Sequence, residues 1–374
     1  MSHSRARNPR TPRMNPPILP LPPNRVRRAY TGGALLEEFD GAEVGEDGQQ
    51  PEDWVASTVP AINPGLPEIP SEGLAHVEFN SPNPVPILSL LEQAPDYLLG
   101  AKHVARVGAT LGFLVKLLDA AVPLPVQAHP TRSFARKHLH SPWGKFESYV
   151  ILQTRQGIAP SLRIGFQHPP SKEEFRRMIV EQDLPAIEAC FEPIPVSAGD
   201  VWVVPGGFPH AIGAGLFMVE TMEPSDLVVR VEYARSGISI PPEARFMGRD
   251  VDFALKVFNY DRLSVEEATA RFKVTPKVLR DDGTFREEIL VGNPYTDCFR
   301  VKKYSIQEET VIPNHGEVGV FIVVGGTGKI SAGSEEIAAR QGTRFLIPAA
   351  TEALTICPES GQELAIVAVT PGSA

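Results

Sequence analysis

Apolar and polar residues alternate along most of this chain in short blocks bounded by glycine and proline, the pattern of strands joined by tight turns. The run GFLVKLLDAA at 112–121 is short and apolar and predicts a buried strand, and SYVILQT at 148–154 is β-branched and aromatic and predicts another. Segments 201–204, 216–222 and 227–233 have the same character, with Gly- or Pro-containing turns between them. Several more short strands are expected from 299 to the end, with GGTG at 325–328 as a turn.

Helical periodicity is sparse. It appears at 87–99, broken at Pro95, and after Thr131, which can cap a short helix through Leu139. A helical insert is predicted at 171–190, where Ser171 and Glu174 form a capping box and Phe175, Met178 and Ile179 supply an apolar face. A second small helical region covers 252–258 and the capping box of Ser264 and Glu267. The stretch 30–99 is mostly loop-like, including Pro51-Glu52-Asp53-Trp54, and is expected to wrap a sheet rather than form its core.

These elements predict a mainly β protein built from two jelly-roll β-barrel units with a helical insert on the first. The boundaries expected are a disordered extension over 1–29, a catalytic barrel over 30–250, a helical connector over 251–298 and a second barrel over 299–374.

At 374 residues and 42% hydrophobic content, the chain can bury a large core. Its net charge is -9, yet Arg5, Arg7, Arg10, Arg13, Arg25, Arg27 and Arg28 crowd into the first thirty residues without an acid. The acidic remainder argues against nucleic-acid binding, and the prolines of the basic start rule out an amphipathic targeting helix. No run approaches the length of a membrane span, and no apolar signal-peptide core is present. Cys190, Cys298 and Cys357 are odd in number and widely spaced, as expected for reduced thiols in a cytoplasmic protein.

Candidate chemistry centres on GDVWVVPGGFPH, which reads Gly199-x5-Pro205-x-Gly207-x2-His210. Up to its histidine it matches the second signature of the cupin family: a strand, a tight turn, then a strand whose first inward residue offers an imidazole. Upstream, Gln127 and His129 stand two apart on an extended segment, so their side chains leave the same face. Glu147 opens the next strand and adds a carboxylate. Two imidazoles, a carboxylate and an amide oxygen suit zinc, with manganese, iron or cobalt as further choices.

Gln127–Pro130, Gly144–Glu147, Pro209–Gly215 and Ser225–Arg230 together resemble the landmarks of bacterial type I phosphomannose isomerases, in that family's order. The resemblance runs from about Tyr30 to the C-terminus. It implies a cupin enzyme with one zinc ion per chain that interconverts mannose 6-phosphate and fructose 6-phosphate, a small-molecule sugar phosphate being its partner. It also implies Arg230 as the active-site arginine, with Lys145 beside it. Two positions depart from the family pattern: Pro125 stands where a serine is common, and Thr131 where an acid is common.

Aldose–ketose isomerisation moves a proton between C1 and C2 through an enediolate, so a site must stabilise oxyanion charge and supply an acid or base. Lys145 and Glu220 are the candidates for proton transfer. Arg230 has a plainer alternative, a strand charge paired with Glu232. Other functions open to this residue set are isomerisation or epimerisation of an unphosphorylated or modified sugar, a metal-dependent cupin oxygenase, and a sugar-binding cupin. In the second barrel Gly342-x5-Pro348 repeats the first spacing, but Ala353 replaces the histidine and His315 is the one plausible imidazole, so a structural role is expected.

Overall fold

The computed structural model describes residues 16–63, 65–78, 84–234 and 239–372. It is mainly β, with two barrels, each made of two antiparallel sheets. In the first barrel a seven-stranded sheet runs in the order Lys273–Val274, Val201–Val204, Glu147–Thr154, Leu216–Met222, Leu114–Ala120, Glu52–Val55, Arg25–Val26. It faces a five-stranded sheet in the order Ile194–Pro195, Ser161–Ile164, His210–Ile212, Gln127–Ala128, Val229–Arg230. The second barrel pairs a seven-stranded sheet, from Leu19–Leu21 at one edge to Lys277–Asp281 at the other, with a four-stranded sheet.

One buried cluster joins the barrels. Val115, Leu117 and Val219 from the first seven-stranded sheet belong to it together with Val301, Val320, Ile322, Val367 and Val369 from the second. Because strand side chains alternate, the opposite face of the first sheet is left for the interior of its own barrel. Burial of so many aliphatic side chains, at about 1.5–3 kcal/mol each, holds that sheet as a rigid platform.

The predicted helix starts are realised. The Ser171 and Glu174 side chains cap helix Lys172–Glu181 reciprocally, Ser264 and Glu267 do the same for Val265–Phe272, and Thr131 accepts the Phe134 N–H at the start of Arg132–His138. The insert holds a second helix, Leu184–Glu188, and Phe175, Ile179 and Ile187 are buried against the five-stranded sheet's apolar cluster.

Three expectations need correction. Residues 1–15 of the expected disordered extension lie outside the described residues, but 16–29 are ordered: Leu19–Leu21 pairs with Arg344–Ile347 in the second barrel, and Arg25–Val26 with Glu52–Val55 in the first. Glu52–Val55, read as loop, is a fully buried strand beside Leu114–Ala120; its acidic residues disguised it because their partners come from elsewhere in the chain. The expected connector at 251–298 is helical only in Val251–Ala254 and Val265–Phe272; Lys273–Val274 joins the first barrel, and Lys277–Asp281 and Phe285–Val291 join the second.

The second barrel encloses an apolar core that includes Ile18, Phe285, Ile306, Phe321, Phe345 and Ile366. His315 is exposed at a turn and Ala353 opens the strand Ala353–Pro358, so neither brings a polar donor into that interior.

Candidate active site

Register explains how distant residues meet. On the five-stranded sheet Gln127 lies directly between His210 on one neighbouring strand and Arg230 on the other. On the seven-stranded sheet Trp202, Tyr149, Glu220, Lys116 and Trp54 form one row across five strands. Glu147 and Glu52 stand two residues from Tyr149 and Trp54, hence on the same inward face. Both sheets therefore direct polar side chains into one barrel interior.

His129, Glu147 and His210 are all buried, and their donor atoms lie within 4.8 Å of one another; they are the one group of this kind among the described residues. His129 Nε2 is 3.0 Å from Glu147 Oε1 and His210 Nε2 is 3.5 Å from Glu147 Oε2. Each imidazole is oriented from behind: His129 Nδ1–H donates to Leu227 O at 2.8 Å, and His210 Nδ1–H to Phe208 O at 3.0 Å. That leaves both Nε2 lone pairs facing the carboxylate, the tautomer a metal ligand needs. Gln127 Nε2 is 3.4 Å from His210 Nε2, so the amide borders the same space.

The electrostatics agree with a cation between these donors. Burial, opposed by Glu147, pushes His129 down to about 4 and keeps its imidazole neutral. Burial would raise Glu147, but its neighbours His129 and the cationic Lys145 outweigh that and hold the carboxylate well below its ordinary range. Among the described residues His129 Nε2 and Glu147 Oε1 are nonetheless buried without a hydrogen bond, the oxygen having the ion-pair contact of Lys145 beside it. Buried polar atoms left so are costly, and a divalent ion coordinated by both would satisfy them.

Beside this cluster opens a pocket of about 860 Å³ whose walls include Gln127, Lys145, Glu220 and Arg230. Lys145 Nζ is 3.0 Å from Glu147 Oε1. Glu220 is buried, 3.4 Å from Lys116 Nζ. Burial, with a smaller contribution from Glu147, lifts its carboxyl to about 7 against the pull of Lys116. Arg230 donates to Ala244 O at 2.9 Å, while Glu232 accepts the Val126 N–H at 2.8 Å, so the expected alternative of a simple Arg230–Glu232 pair is not what organises this strand. Pro125 lines the same pocket.

Sequence reasoning missed Arg28, Tyr30, Glu52, Lys116 and Asp226, all of which line this pocket. Glu52 is their hub. It accepts from Tyr30 Oη at 2.7 Å and Trp54 Nε1 at 2.6 Å, with Arg28 Nε at 2.9 Å and Lys116 Nζ at 3.4 Å. Burial alone would raise Glu52, but Arg28 and Lys116 reverse the sign and hold it ionised. Lys116 carried a visible signal: it is one of two charged residues, with Asp119, inside an otherwise apolar strand. Arg28 carried none, because its value depends on where the N-terminal arm runs.

Comparison with known proteins places this geometry. A family model described as the cupin domain of mannose-6-phosphate isomerase matches residues 293–369. The mannose-6-phosphate isomerase of Streptococcus mutans serotype c is 30% identical over 237 residues, which is 63% of this chain and 67% of that protein. Among solved structures, the mannose 6-phosphate isomerase from Bacillus subtilis superposes with a TM-score of 0.71 at 21% identity, covering 95% of this chain and 99% of its own. A mannose 6-phosphate isomerase bound with zinc and yttrium superposes with a TM-score of 0.69 at 15% identity, covering 96% of this chain and 100% of its own. The chain therefore belongs to the mannose-6-phosphate isomerase family, whose members are aldose–ketose isomerases of cupin fold.

Proposed function

We propose that this protein interconverts mannose 6-phosphate and fructose 6-phosphate, using one zinc ion held by Gln127, His129, Glu147 and His210. The observation that carries this reading is the convergence of His129, Glu147 and His210 from two facing sheets next to a pocket walled by Lys145, Glu220 and Arg230. When bound, the ion would supply Lewis acidity toward the sugar's carbonyl and hydroxyl oxygens.

The chain's own residues do the rest. Glu220, with its carboxyl lifted to about 7, can take and return a proton near neutral pH and serves as the acid–base group between C1 and C2. Lys145 and Arg230 present cationic donors to the oxyanion of the enediolate. Lys116 keeps Glu220 within reach, and the Glu52 hub fixes Lys116 and Arg28 in turn. The three cysteines are free, which supports a cytoplasmic setting.

Pro125 in the pocket wall favours a second reading, an isomerase of an unphosphorylated sugar, since a hydroxyl that would help hold a phosphate is absent there. One assay separates the two: coupled detection of the ketose from mannose 6-phosphate and from mannose, with and without a chelator. Chelator-sensitive turnover of mannose 6-phosphate alone supports the proposal. Turnover of mannose alone supports the second reading, and inactivity of metal-loaded protein on both overturns each.

A further inference from the structure

A second cleft, of about 890 Å³, lies away from the metal cluster and is walled by residues from both barrels. Arg106, Arg132 and Arg136 line it with His103, Trp143 and Asp297. Two of its three guanidinium groups have no carboxylate partner among the described residues. Arg106 Nη1 donates to the backbone oxygen of Gly372 at 2.7 Å, and Arg136 is exposed and makes no ion pair among the described residues. Arg132 is neutralised by Glu223 and by Asp297, the latter at 2.9 Å, and its guanidinium lies 5.9 Å from the centroid of the Trp143 ring. Like charges gathered in one concavity repel each other, and an anion relieves that repulsion.

His103 supplies an independent observation. It is buried in the cleft wall, its Nε2–H donates to Thr110 O at 2.7 Å, and its Nδ1 has no hydrogen-bond partner among the described residues. Burial, aided by Arg106, lowers its titration from the ordinary value, so the ring is neutral and Nδ1 is an acceptor. A buried acceptor without a donor calls for a hydroxyl or a water. Guanidinium groups for an oxyanion, an acceptor for a hydroxyl and a half-buried indole face for a carbon skeleton together describe one chemical class.

We propose that this inter-barrel cleft binds a phosphate ester that also carries hydroxyl groups, at a site separate from the active-site pocket. Glycerol 3-phosphate is a suitable probe, and calorimetric titration of the full-length metal-loaded protein reads its binding. Arg136→Gln alone and Arg106→Gln/Arg136→Gln together should weaken binding, the double variant by about tenfold or more, the equivalent of one lost charge-assisted contact. Turnover of mannose 6-phosphate should stay as in the parent, because neither arginine touches the active-site pocket. Binding should persist in Arg230→Ala, whose substitution lies in the active-site pocket and outside this cleft. Equal affinity in parent and double variant, loss of all binding in Arg230→Ala, or no measurable binding by the parent would each overturn the proposal.

Discussion

Lys145 Nζ stands 3.0 Å from Glu147 Oε1, the same oxygen that meets His129 Nε2 at 3.0 Å. One carboxylate oxygen thus connects the proposed ion site to the pocket wall. Glu147→Gln keeps the shape but removes the only negative charge offered to the ion by the four proposed ligands, so most of the bound metal should be lost on dialysis. Lys145→Met should retain metal while losing turnover. Elemental analysis beside the coupled assay distinguishes them, and a Glu147→Gln protein that keeps a full equivalent would remove Glu147 from the ligand set.

Metal content should be close to one divalent ion per chain, since the second barrel's interior is apolar and His315 lies outside it. His210→Ala and His129→Ala should abolish retention. Gln127→Ala, which removes a neutral amide, should weaken it less. Two equivalents of similar affinity would contradict the structural role assigned to the second barrel.

Arg230 is the test of charge stabilisation. It adjoins Gln127 in register and lines the pocket, and burial lowers its guanidinium somewhat from the ordinary value while leaving it cationic. Arg230→Ala should lower kcat by about 10²-fold, near 3 kcal/mol of transition-state stabilisation, with a smaller change in KM and unchanged metal content. Full turnover would return Arg230 to a structural part. A loss confined to KM for the phosphorylated sugar would make it a phosphate anchor instead.

The rate should depend on pH through Glu220. Its carboxyl is lifted to about 7 by burial, and a bound cation nearby would draw it lower. As the base, Glu220 must be ionised, so kcat/KM should rise with pH along a limb at or below about 7 and level off above it. Glu220→Gln should abolish most turnover and this limb with it. A variant that keeps the parent's acidic limb would assign the titration to another group.

The second-barrel spacing, the helix caps and the ligand signature were all legible because each is local: a strand period, a capping box, a fixed distance from Gly199 to His210. What sequence could not show is what the fold brings from afar. Arg28 lies in a segment whose composition reads as disordered, yet two short strand pairings on either side of it fix its path. Glu52 and Asp53 sit in a strand that looks polar until their counter-charges are known. Those are Arg28 and Lys116 for Glu52, and Arg25 and Arg344 for Asp53, the last reaching across from the second barrel at 3.1 Å.

The Glu52 hub leads to a prediction about stability that is independent of catalysis. Burial opposes its ionisation, and Arg28, Lys116 and the Tyr30 and Trp54 hydrogen bonds more than reverse that, so its folded-state titration lies below the ordinary value of 4.5. A depressed carboxylate adds stability above its unfolded-state value, and that stability is lost as pH falls through the folded-state value. Glu52→Gln leaves Arg28 and Lys116 buried with their main counter-charge gone, at a cost of about 3–5 kcal/mol. Chemical denaturation at neutral pH should therefore show a lower midpoint for Glu52→Gln than for the parent. The gap should narrow as the pH is brought down below the ordinary value of 4.5, where the unfolded chain's carboxyl takes up a proton that the folded hub still excludes. Lys116→Met should cost less, because Arg28 still neutralises Glu52 at 2.9 Å. Equal midpoints for Glu52→Gln and the parent at neutral pH, or a gap that widens in acid, would show that the hub does not hold this wall of the pocket.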